Sequence, residues 1–506
     1  MKAKTIQICG TGSGVGKSVV VSALCRILLE DGYRVCPFKA QNMALNSYVT
    51  KEGGEIGRAQ ATQAQAARLE PTVDMNPILI KPTSDRRAQI IVTGKPVKNM
   101  SVYEYVKYKK KAKGIILNSF KRLAADYEAV VIEGAGSPAE INLKAHDIVN
   151  MQMAKHARAP VILVGDIDKG GVFAWLVGTM ELLTKEERKM VKGFIINKFR
   201  GDKRLLRPGI DFLEKKTGKK VLGVIPYFKD IKIPEEDSVP LEKRAAAARK
   251  QRASRRKVID IAIISLPHIS NFTDFDALEN EPDVRLRYVS ALDEPGHPDV
   301  IIIPGSKSTI FDLNYLRKSG LAQKIRQAFE HNPRLELIGL CGGYQMLGEC
   351  IYDRGRTEAG QKETKALGFL PVVTAFEKGK ILCRVKAKEI SSGSYVRGYE
   401  IHHGRTRLLG GCKPIFKIIE RQGKKAADTD GASLENSRVW GAYLHGVFDE
   451  HNFRRSFLNR LRRKKGWAPL TITAAFNLDK EFDKLAQLFR ENMDMALLYK
   501  IMKDGA

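Results

Sequence analysis

The chain has 506 residues, enough for two or three domains of roughly 100–200 residues each. Hydrophobic residues make up 43% of it, which excludes wholesale disorder. No apolar stretch reaches the roughly 18–20 residues of a membrane span, and the N-terminus lacks a signal-peptide pattern. Seven cysteines without regular spacing do not form a disulfide framework. We therefore expect a cytoplasmic, reduced, multidomain protein without a membrane partner.

The chain is strongly basic, with 86 Lys and Arg against 57 Asp and Glu, a net charge of +29. Most of the excess lies in three short stretches, residues 107–113, 242–257 and 454–465. None of them belongs to a motif that carries chemistry, and no nucleic-acid-binding module is recognisable. The charge is therefore interpreted as solvated surface, and no specific nucleic-acid partner is expected.

Short apolar runs alternate with helical patterns along the first half of the chain. The runs cover residues 5–9, 129–132, 161–164, 193–196 and 221–225. This alternation predicts an α/β fold with a parallel sheet covered on both faces. A second α/β pattern begins at Ile259, after a basic segment. We predict a P-loop domain over residues 1–235, a basic linker over 236–257, and a second α/β domain over 258–506 with a helical C-terminal tail.

A glycine-rich loop over residues 10–18 follows the first strand and opens a helix. Backbone N–H groups of such a loop and the helix N-terminus favour a phosphate. The strict pattern has glycine where this chain has Thr11, and the leading glycine lies one place earlier. The side chains of Lys17 and Ser18 are predicted to reach the phosphates of ATP and Mg²⁺, respectively. Candidates for nucleotide binding are Gly12, Gly14, Gly16, Lys17, Ser18 and Lys39.

Acidic side chains follow other predicted strands. Glu133 ends the strand at 129–132, where it is placed to hold Mg²⁺ opposite Ser18. Capping of the next turn is the alternative role for Glu133. Asp166 and Asp168 follow a further strand and are left open as additional site residues.

The second domain contains a predicted thiol nucleophile. Cys341 lies in a Gly-x-Cys-x-Gly turn between a strand and a helix, the cysteine form of a nucleophile elbow. A helix N-terminus there favours the reactive thiolate. His445, at the end of an apolar segment, is the predicted base. Backbone N–H groups near Gly305, Ser306 and Gly342 are candidates for an oxyanion hole.

These pieces resemble two known families. The phosphate loop is similar to that of dethiobiotin synthetase, which activates a carboxylate with ATP. The elbow, the histidine and the Gly305 loop resemble a class I glutamine amidotransferase domain, which releases ammonia from glutamine. That family usually has a glutamate two residues after the histidine, where this chain has Val447. Either another acid such as Glu400 orients the histidine, or the site works as a dyad of the cysteine and the histidine.

Longer motifs resemble the cobyric acid synthase family over nearly the whole chain. They lie at residues 39–43, 53–60, 76–77, 81–82, 168–173, 304–309, 398–404 and 443–448. The resemblance implies ATP- and glutamine-dependent amidation of the b, d, e and g carboxylates of adenosylcobyrinic acid a,c-diamide in cobalamin biosynthesis. The carboxylates would be activated as acyl phosphates, with ATP and Mg²⁺ as cofactors. Candidate contacts to this anionic corrinoid or the nucleotide are Gln41, Asn42, Asn46, Glu55 and Arg58, with polar loop and cap roles as the alternative.

Other interpretations are open at this point. Cobyrinic acid a,c-diamide synthase shares the architecture but amidates other side chains, and the charge alone suggests a nucleic-acid-associated ATPase. CTP synthase has the same ligase-plus-glutaminase plan, but its nucleotide-domain motifs are not evident. The neighbouring His402 and His403 lack further ligands at metal-binding spacing. The oligomeric state is left open.

Overall fold

The computed structural model describes residues 3–84, 86–234, 257–355, 358, 362–434, 438–471 and 477–506. The chain forms two compact units. The first contains Met1–Ala44, Glu55–Pro234 and Asn477–Ala506, and the second contains Leu45–Gly54 and Glu235–Phe476. The predicted basic linker lies outside the described residues except for Lys257.

The two units are built from 25 strands and 15 α-helices within the described ranges. The strands are β1 Lys4–Gly10, β2 Val35–Phe38, β3 Gln41–Met43, β4 Ser47–Val49, β5 Glu55–Gly57, β6 Ile78–Ser84, β7 Arg87–Val92, β8 Lys95–Ser101, β9 Ala129–Glu133, β10 Val161–Asp166, β11 Val191–Phe199, β12 Lys220–Pro226, β13 Ile259–Ile264, β14 Val284–Val289, β15 Val300–Ile303, β16 Glu336–Leu340, β17 Cys350–Tyr352, β18 Glu363–Lys365, β19 Val372–Glu389, β20 Tyr395–Leu408, β21 Cys412–Lys413, β22 Phe416–Arg421, β23 Lys424–Asp430, β24 Ala432–Leu434 and β25 Val439–Ala442. The helices are α1 Lys17–Glu30, α2 Arg58–Ala66, α3 Val102–Asp126, α4 Ile141–Lys144, α5 Met151–Ala157, α6 Val172–Leu182, α7 Lys185–Met190, α8 Lys203–Thr217, α9 Asp276–Glu279, α10 Thr309–Lys318, α11 Leu321–His331, α12 Gly342–Leu347, α13 His451–Lys464, α14 Leu478–Asn492 and α15 Met495–Asp504.

The first unit is centred on a parallel six-stranded sheet in the order β12-β11-β10-β1-β9-β2. Strands β1, β9 and β10 are buried along nearly their whole length, because they are covered on both faces. A smaller sheet, β3-β6-β7-β8, belongs to the same unit. The carboxyl ends of β1, β2 and β9 lead into the phosphate loop, Lys39 and Glu133, so the topology brings the predicted nucleotide site to one edge.

The C-terminal boundary differs from the prediction. Helices α14 and α15 pack with the first unit, whereas the sequence analysis assigned them to the second domain. Their apolar faces, including Phe482, Leu485 and Phe489, join the core around α1. Arg490 also pairs with Asp31 at 2.8 Å. Periodicity predicts an amphipathic helix but does not identify the surface it covers, which explains the error.

The second unit is centred on a seven-stranded sheet, β14-β13-β15-β16-β25-β24-β21, whose first five strands are parallel. A second sheet contains β17, β18, β19, β20, β22 and β23. Two predicted positions meet at one edge of the main sheet. Cys341 follows β16, and His445 follows its neighbour β25.

The basic stretch at 454–465 is not simply solvated surface, contrary to the sequence interpretation. Three arginines of α13 are almost fully buried and pair with buried carboxylates. Arg454 contacts Glu281 at 2.6 Å, and Arg455 contacts Asp283 at 3.0 Å. Arg462 also reaches Asp283. A count of charges along the sequence does not show that acidic residues distant in the chain pair with these arginines.

No helix in the described ranges is both long and apolar enough to cross a bilayer.

Candidate active sites in the two units

The phosphate loop of the first unit curls around the Lys17 side chain. The Lys17 ammonium donates to the carbonyls of Gly12 at 2.8 Å and Gly136 at 3.1 Å. Gly16 has φ +97°, and a Cβ there would lie 2.2 Å from the amide nitrogen of Asn197. The Asn197 side chain donates to the Val15 carbonyl at 2.9 Å and so supports the loop. The close approach explains why glycine precedes the lysine.

Glu133 is the centre of a polar cluster beside the loop. One carboxylate oxygen accepts from the Ser18 hydroxyl at 2.8 Å and from the Lys39 ammonium at 2.9 Å. The other accepts from the amides of Gln60 and Gln63, two residues of α2. Burial disfavours the charged form, but the Lys39 charge and the hydrogen bonds hold the pKa of Glu133 below its ordinary value. The structure thus brings Ser18, Lys39 and Glu133 together, and it adds two glutamines that the sequence analysis did not select.

The donor set beside the loop suits Mg²⁺. The Ser18 hydroxyl and the ionised Glu133 carboxylate are hard oxygen ligands, of the kind that Mg²⁺ accepts together with waters and phosphate oxygens. Elsewhere among the residues that the structure describes, no group of three or more His, Cys, Asp or Glu side chains could hold a metal ion.

The two aspartates left open by the sequence have basic partners. Asp166 accepts from Lys198 at 2.8 Å, and the same ammonium donates to the Gly14 carbonyl at 2.6 Å. Asp166 is therefore linked to the phosphate loop through Lys198. Asp168 pairs with Arg200 at 2.8 Å on the surface.

A cavity of about 410 Å³ opens beside residues 11–13 of the loop. Trp175 and Leu182 of α6 form an apolar wall, and Lys169 adds a positive charge. Lys169 belongs to the motif at residues 168–173, but Trp175 and Leu182 lie outside every motif, so no sequence pattern indicated the cavity.

The five predicted substrate contacts are divided between the two units. Gln41 accepts from the Tyr105 hydroxyl, and Asn42 donates to Gln60, in the first unit. Glu55 forms a buried ion pair with Lys81 at 2.8 Å. Arg58 begins α2.

Asn46, the fifth of these residues, belongs to the second unit, where its side chain accepts from the Phe272 backbone N–H at 3.2 Å.

The nucleophile elbow of the second unit has the predicted form. Cys341 lies between β16 and α12 with φ +51° and ψ −107°, a strained backbone conformation of the kind found at functional sites. A Cβ on Gly343 would lie 1.9 Å from the Ile303 carbonyl oxygen, so glycine is required there. The Cys341 thiol is buried and contacts the Ile401 carbonyl at 3.6 Å.

His445 has an aspartate partner that the sequence analysis missed. Its Nδ1 lies 2.7 Å from the Asp274 carboxylate, whose other oxygen accepts from the Gly446 N–H at 2.9 Å. Cys341 is a further hydrogen-bonding partner of the ring. Burial lowers the pKa of His445, whereas the charge of Asp274 and that of an ionised Cys341 raise it. The three side chains form a Cys-His-Asp arrangement.

Glu400, suggested from the sequence as the orienting acid, serves elsewhere. Its carboxylate pairs with Arg421 at 2.9 Å and accepts from the Cys383 thiol at 3.1 Å. Although burial opposes the charge, the nearby His402 ring and the hydrogen-bonded Arg421 lower the pKa of Glu400 to about 2. The acid that takes the missing glutamate's place is Asp274, 171 residues before His445. Such a separation leaves no spacing signal in a single sequence.

The predicted oxyanion residues lie beside the elbow. A Cβ on Gly342 would lie 2.9 Å from the Ser306 backbone nitrogen, so the two backbones pass close to each other. The buried Asp312 carboxylate fixes this loop by accepting from the Ser306 hydroxyl at 2.6 Å. A Cβ on Gly305 would lie 3.1 Å from the His445 ring. The structure thus brings together the residues selected for the thiol site.

The family comparisons match both halves of the chain. Residues 6–241 match the family described as the CobQ/CobB/MinD/ParA nucleotide binding domain. Residues 260–453 match the family described as the CobB/CobQ-like glutamine amidotransferase domain. The α/β fold of each half agrees with the prediction.

Curated relatives are similar over almost the whole chain. Cobyric acid synthase of Dehalococcoides mccartyi (strain CBDB1) is 50% identical, and the match covers 99% of each chain. The Pelotomaculum thermopropionicum cobyric acid synthase is 48% identical over 99% of this chain and 97% of its own. An adenosylcobalamin biosynthesis bifunctional protein of Leptospira interrogans is 47% identical over 99% of this chain, which spans 57% of that longer relative.

Proposed function

Because the chain belongs to the cobyric acid synthase family of glutamine-hydrolysing, ATP-dependent amide ligases of cobalamin biosynthesis, we propose a specific reaction for it. It converts the b, d, e and g carboxylates of adenosylcobyrinic acid a,c-diamide to amides, giving adenosylcobyric acid. Each amidation consumes one ATP and one glutamine. The carboxylate is activated in the first unit, and ammonia is released in the second.

Ammonia is released by covalent catalysis at the thiol. His445 takes the Cys341 proton on Nε2, and the sulfur attacks the side-chain amide carbon of glutamine. Electrons of the C=O bond move to the oxygen, which the backbone N–H groups of the Ser306 and Gly342 region stabilise. His445 then returns the proton to the amide nitrogen, the C–N bond breaks, and ammonia leaves. Water hydrolyses the thioester to glutamate and restores the thiol, while Asp274 keeps the imidazole oriented.

The acceptor carboxylate is activated by phosphoryl transfer. An oxygen of the corrinoid carboxylate attacks the γ-phosphorus of ATP, and ADP leaves with the bridging oxygen. Lys17 and Lys39 neutralise charge on the phosphates, and Ser18 with Glu133 holds Mg²⁺, which supplies further charge neutralisation when bound. Ammonia displaces phosphate from the resulting acyl phosphate to give the amide.

The acceptor is proposed to enter the cavity beside the phosphate loop. Lys169 suits an anionic side chain, and the flat indole of Trp175 suits an apolar macrocycle. Gln41 and Arg58, which are partly exposed, are proposed as additional contacts to the corrinoid.

The observation that carries the proposal is the Cys341–His445–Asp274 arrangement in one unit and the Ser18–Glu133–Lys39 cluster in the other unit of the same chain. The test is incubation with ATP, glutamine and the corrinoid, read by mass spectrometry. Four successive carboxyl-to-amide conversions support the proposal. Stopping at two conversions on the unamidated acid would instead identify a cobyrinic acid a,c-diamide synthase.

The thiol assignment is tested separately with Cys341→Ser. This variant should lose glutamine-dependent amidation and keep amidation with high concentrations of ammonia, because the phosphoryl-transfer site is unchanged. Cys412→Ser, which changes a half-buried cysteine outside the site, is the matched control. Glutamine use that survives Cys341→Ser would refute the assignment.

A further inference from the structure

A side chain that the mechanism does not use faces the catalytic base. The Asn271 amide nitrogen lies 3.2 Å from Nε2 of His445, the atom that must accept the thiol proton. Asn271 is buried and has φ +53°, a left-handed conformation that asparagine tolerates better than most residues. Its position on the reacting nitrogen means that it competes with the thiol for that nitrogen.

The orientation of the Asn271 amide is fixed by a neighbouring backbone group. The Ser47 N–H donates to the Asn271 side-chain oxygen at 3.1 Å. The oxygen must face this donor, so the NH₂ group must face His445. An NH₂ group can only donate, and Nε2 must therefore accept and carry no proton. The arrangement requires a neutral imidazole whose remaining proton is on Nδ1, toward Asp274.

Two influences on His445 thus oppose each other. The charges of Asp274 and Cys341 favour the doubly protonated ring. The amide of Asn271 disfavours it, because Nε2–H would then point at another donor. Ion-pair formation between the thiol and the ring is consequently disfavoured while Ser47 holds Asn271 in place.

Ser47 belongs to an unusual segment of the second unit. Residues 45–54, here called the strap, join the second unit although the chain on both sides belongs to the first. Arg384 donates to the Val49 carbonyl at 2.9 Å, and Gln422 donates to the Lys51 carbonyl. The strap is therefore attached to the second unit at several points.

The strap also reaches the catalytic histidine through neighbouring aromatic rings. The ring of Tyr48 lies 6.1 Å from that of Tyr399, which stacks on His445 at 5.3 Å. The backbone N–H of His445 donates to the Tyr399 carbonyl at 3.0 Å. A shift of the strap would therefore change the surroundings of His445 at both Asn271 and Tyr399.

The flanks of the strap lead to the nucleotide cluster of the first unit. On one side, Asn42 donates to Gln60, whose amide donates to Glu133. On the other side, Glu55 begins β5, which leads directly into α2 with Gln60 and Gln63. Binding of nucleotide and Mg²⁺ at Glu133 would change the hydrogen bonds of Gln60 and Gln63, and Gln60 also holds Asn42 on one flank.

We infer that Asn271, held by the backbone N–H of Ser47, is a latch that suppresses glutamine hydrolysis until ligands in the first unit shift the strap. The inference rests on the proposed role of Cys341 and His445. Release of the latch lets the Asn271 amide leave Nε2, and the thiol then transfers its proton to the ring. Glutamine is thereby protected when no acyl phosphate is available to use the ammonia.

The test measures glutamate formation by the full chain with glutamine alone, and again with a non-hydrolysable ATP analogue, Mg²⁺ and the corrinoid. Asn271→Gly removes the amide and suits the positive φ. We expect basal hydrolysis to rise about tenfold, the effect of one buried hydrogen bond, and stimulation by the ligands to fall by the same factor. Ser47→Ala is the matched control, because it retains the N–H donor and should keep the parent's ratio of stimulated to basal rate.

A spectroscopic measurement tests the latch without any substitution in it. With ¹⁵N-labelled histidine, the ligand-free parent should show His445 as the neutral Nδ1–H tautomer at pH 7, and Asn271→Gly should show a doubly protonated ring. A doubly protonated ring in the ligand-free parent would overturn the inference even if Asn271→Gly failed to fold. So would a folded Asn271→Gly protein whose basal rate is unchanged or lower.

Failure of the proposed function gives a different pattern. If Cys341→Ser hydrolyses glutamine normally, the thiol assignment is wrong and the latch falls with it. If Cys341→Ser abolishes hydrolysis while Asn271→Gly leaves the basal rate unchanged, only the latch is wrong.

Discussion

Replacement of Asp274 by asparagine gives the sharpest test of the Cys-His-Asp arrangement. The Gly446 N–H donates to one carboxylate oxygen at 2.9 Å. In Asp274→Asn this donor keeps the amide oxygen in the same place and turns the NH₂ group toward Nδ1 of His445. Nδ1 must then accept, and the ring proton moves to Nε2. His445 becomes the wrong tautomer for taking a proton from Cys341.

The magnitude follows from this tautomer switch. The same change in a serine protease triad lowers kcat by about 10⁴. Each factor of ten corresponds to about 1.4 kcal/mol, so the loss is about 5 kcal/mol of transition-state stabilisation. A cysteine thiol ionises more readily than a serine hydroxyl. We therefore expect kcat for glutamine hydrolysis to fall by roughly 10³–10⁴.

The assay is glutamate formation at pH 7.5, with ammonia-dependent amidation measured in parallel. Ammonia-dependent amidation should be unchanged. Glu279→Gln, at an exposed carboxylate at the end of the adjoining helix α9, controls for the loss of an acid. A rate within about tenfold of the parent would refute the assignment of Asp274, because the wrong tautomer must cost more than that.

Three further predictions concern the nucleotide cluster and the stability of the second unit. Glu133→Gln should abolish ATP-dependent amidation with either nitrogen source, since it removes the carboxylate that faces Ser18. Calorimetric titration of ATP binding at increasing Mg²⁺ should show that binding no longer depends on Mg²⁺. Preserved Mg²⁺ dependence would contradict the prediction. Arg455→Ala should reduce the free energy of unfolding of the second unit by about 3–5 kcal/mol, because it leaves Asp283 as a buried, incompletely paired charge. Urea unfolding measures this change. As the control, Arg463→Ala at an exposed position should change the free energy of unfolding by less than about 0.5 kcal/mol. The Glu400 carboxyl, with its pKa lowered to about 2, contributes stability that is present above about pH 4.5 and is lost as the pH falls toward 2. Urea unfolding of Glu400→Gln should therefore show a weaker loss of stability over that pH range than the parent does.

The sequence predicted the elements that carry a local pattern. The strand–loop–helix of residues 10–18 and the elbow at Cys341 are each defined by glycines within a few positions, and both appear in the structure as expected. His445 was found because an apolar strand ends just before it. The two α/β folds followed from the alternation of strands and helices.

The remaining features depend on contacts between distant residues. Asp274 precedes His445 by 171 positions, and its own surroundings in the sequence contain no catalytic motif. Likewise, no sequence pattern indicated that Glu281 and Asp283 pair with the buried arginines of α13. The docking of α14 and α15 was missed because an apolar helix face does not specify which core it completes.

The return of α14 and α15 to the first unit has a consequence for biosynthesis on the ribosome. Phe482, Leu485 and Phe489 supply part of the core around α1. This core is incomplete until the last residues of the chain have emerged, after the second unit has been synthesised. Domains generally fold as units during translation, in order of emergence. Here the first unit can complete its core only after the second unit has been synthesised. Each chain therefore completes its ATP-consuming unit when its ammonia-producing unit is already present.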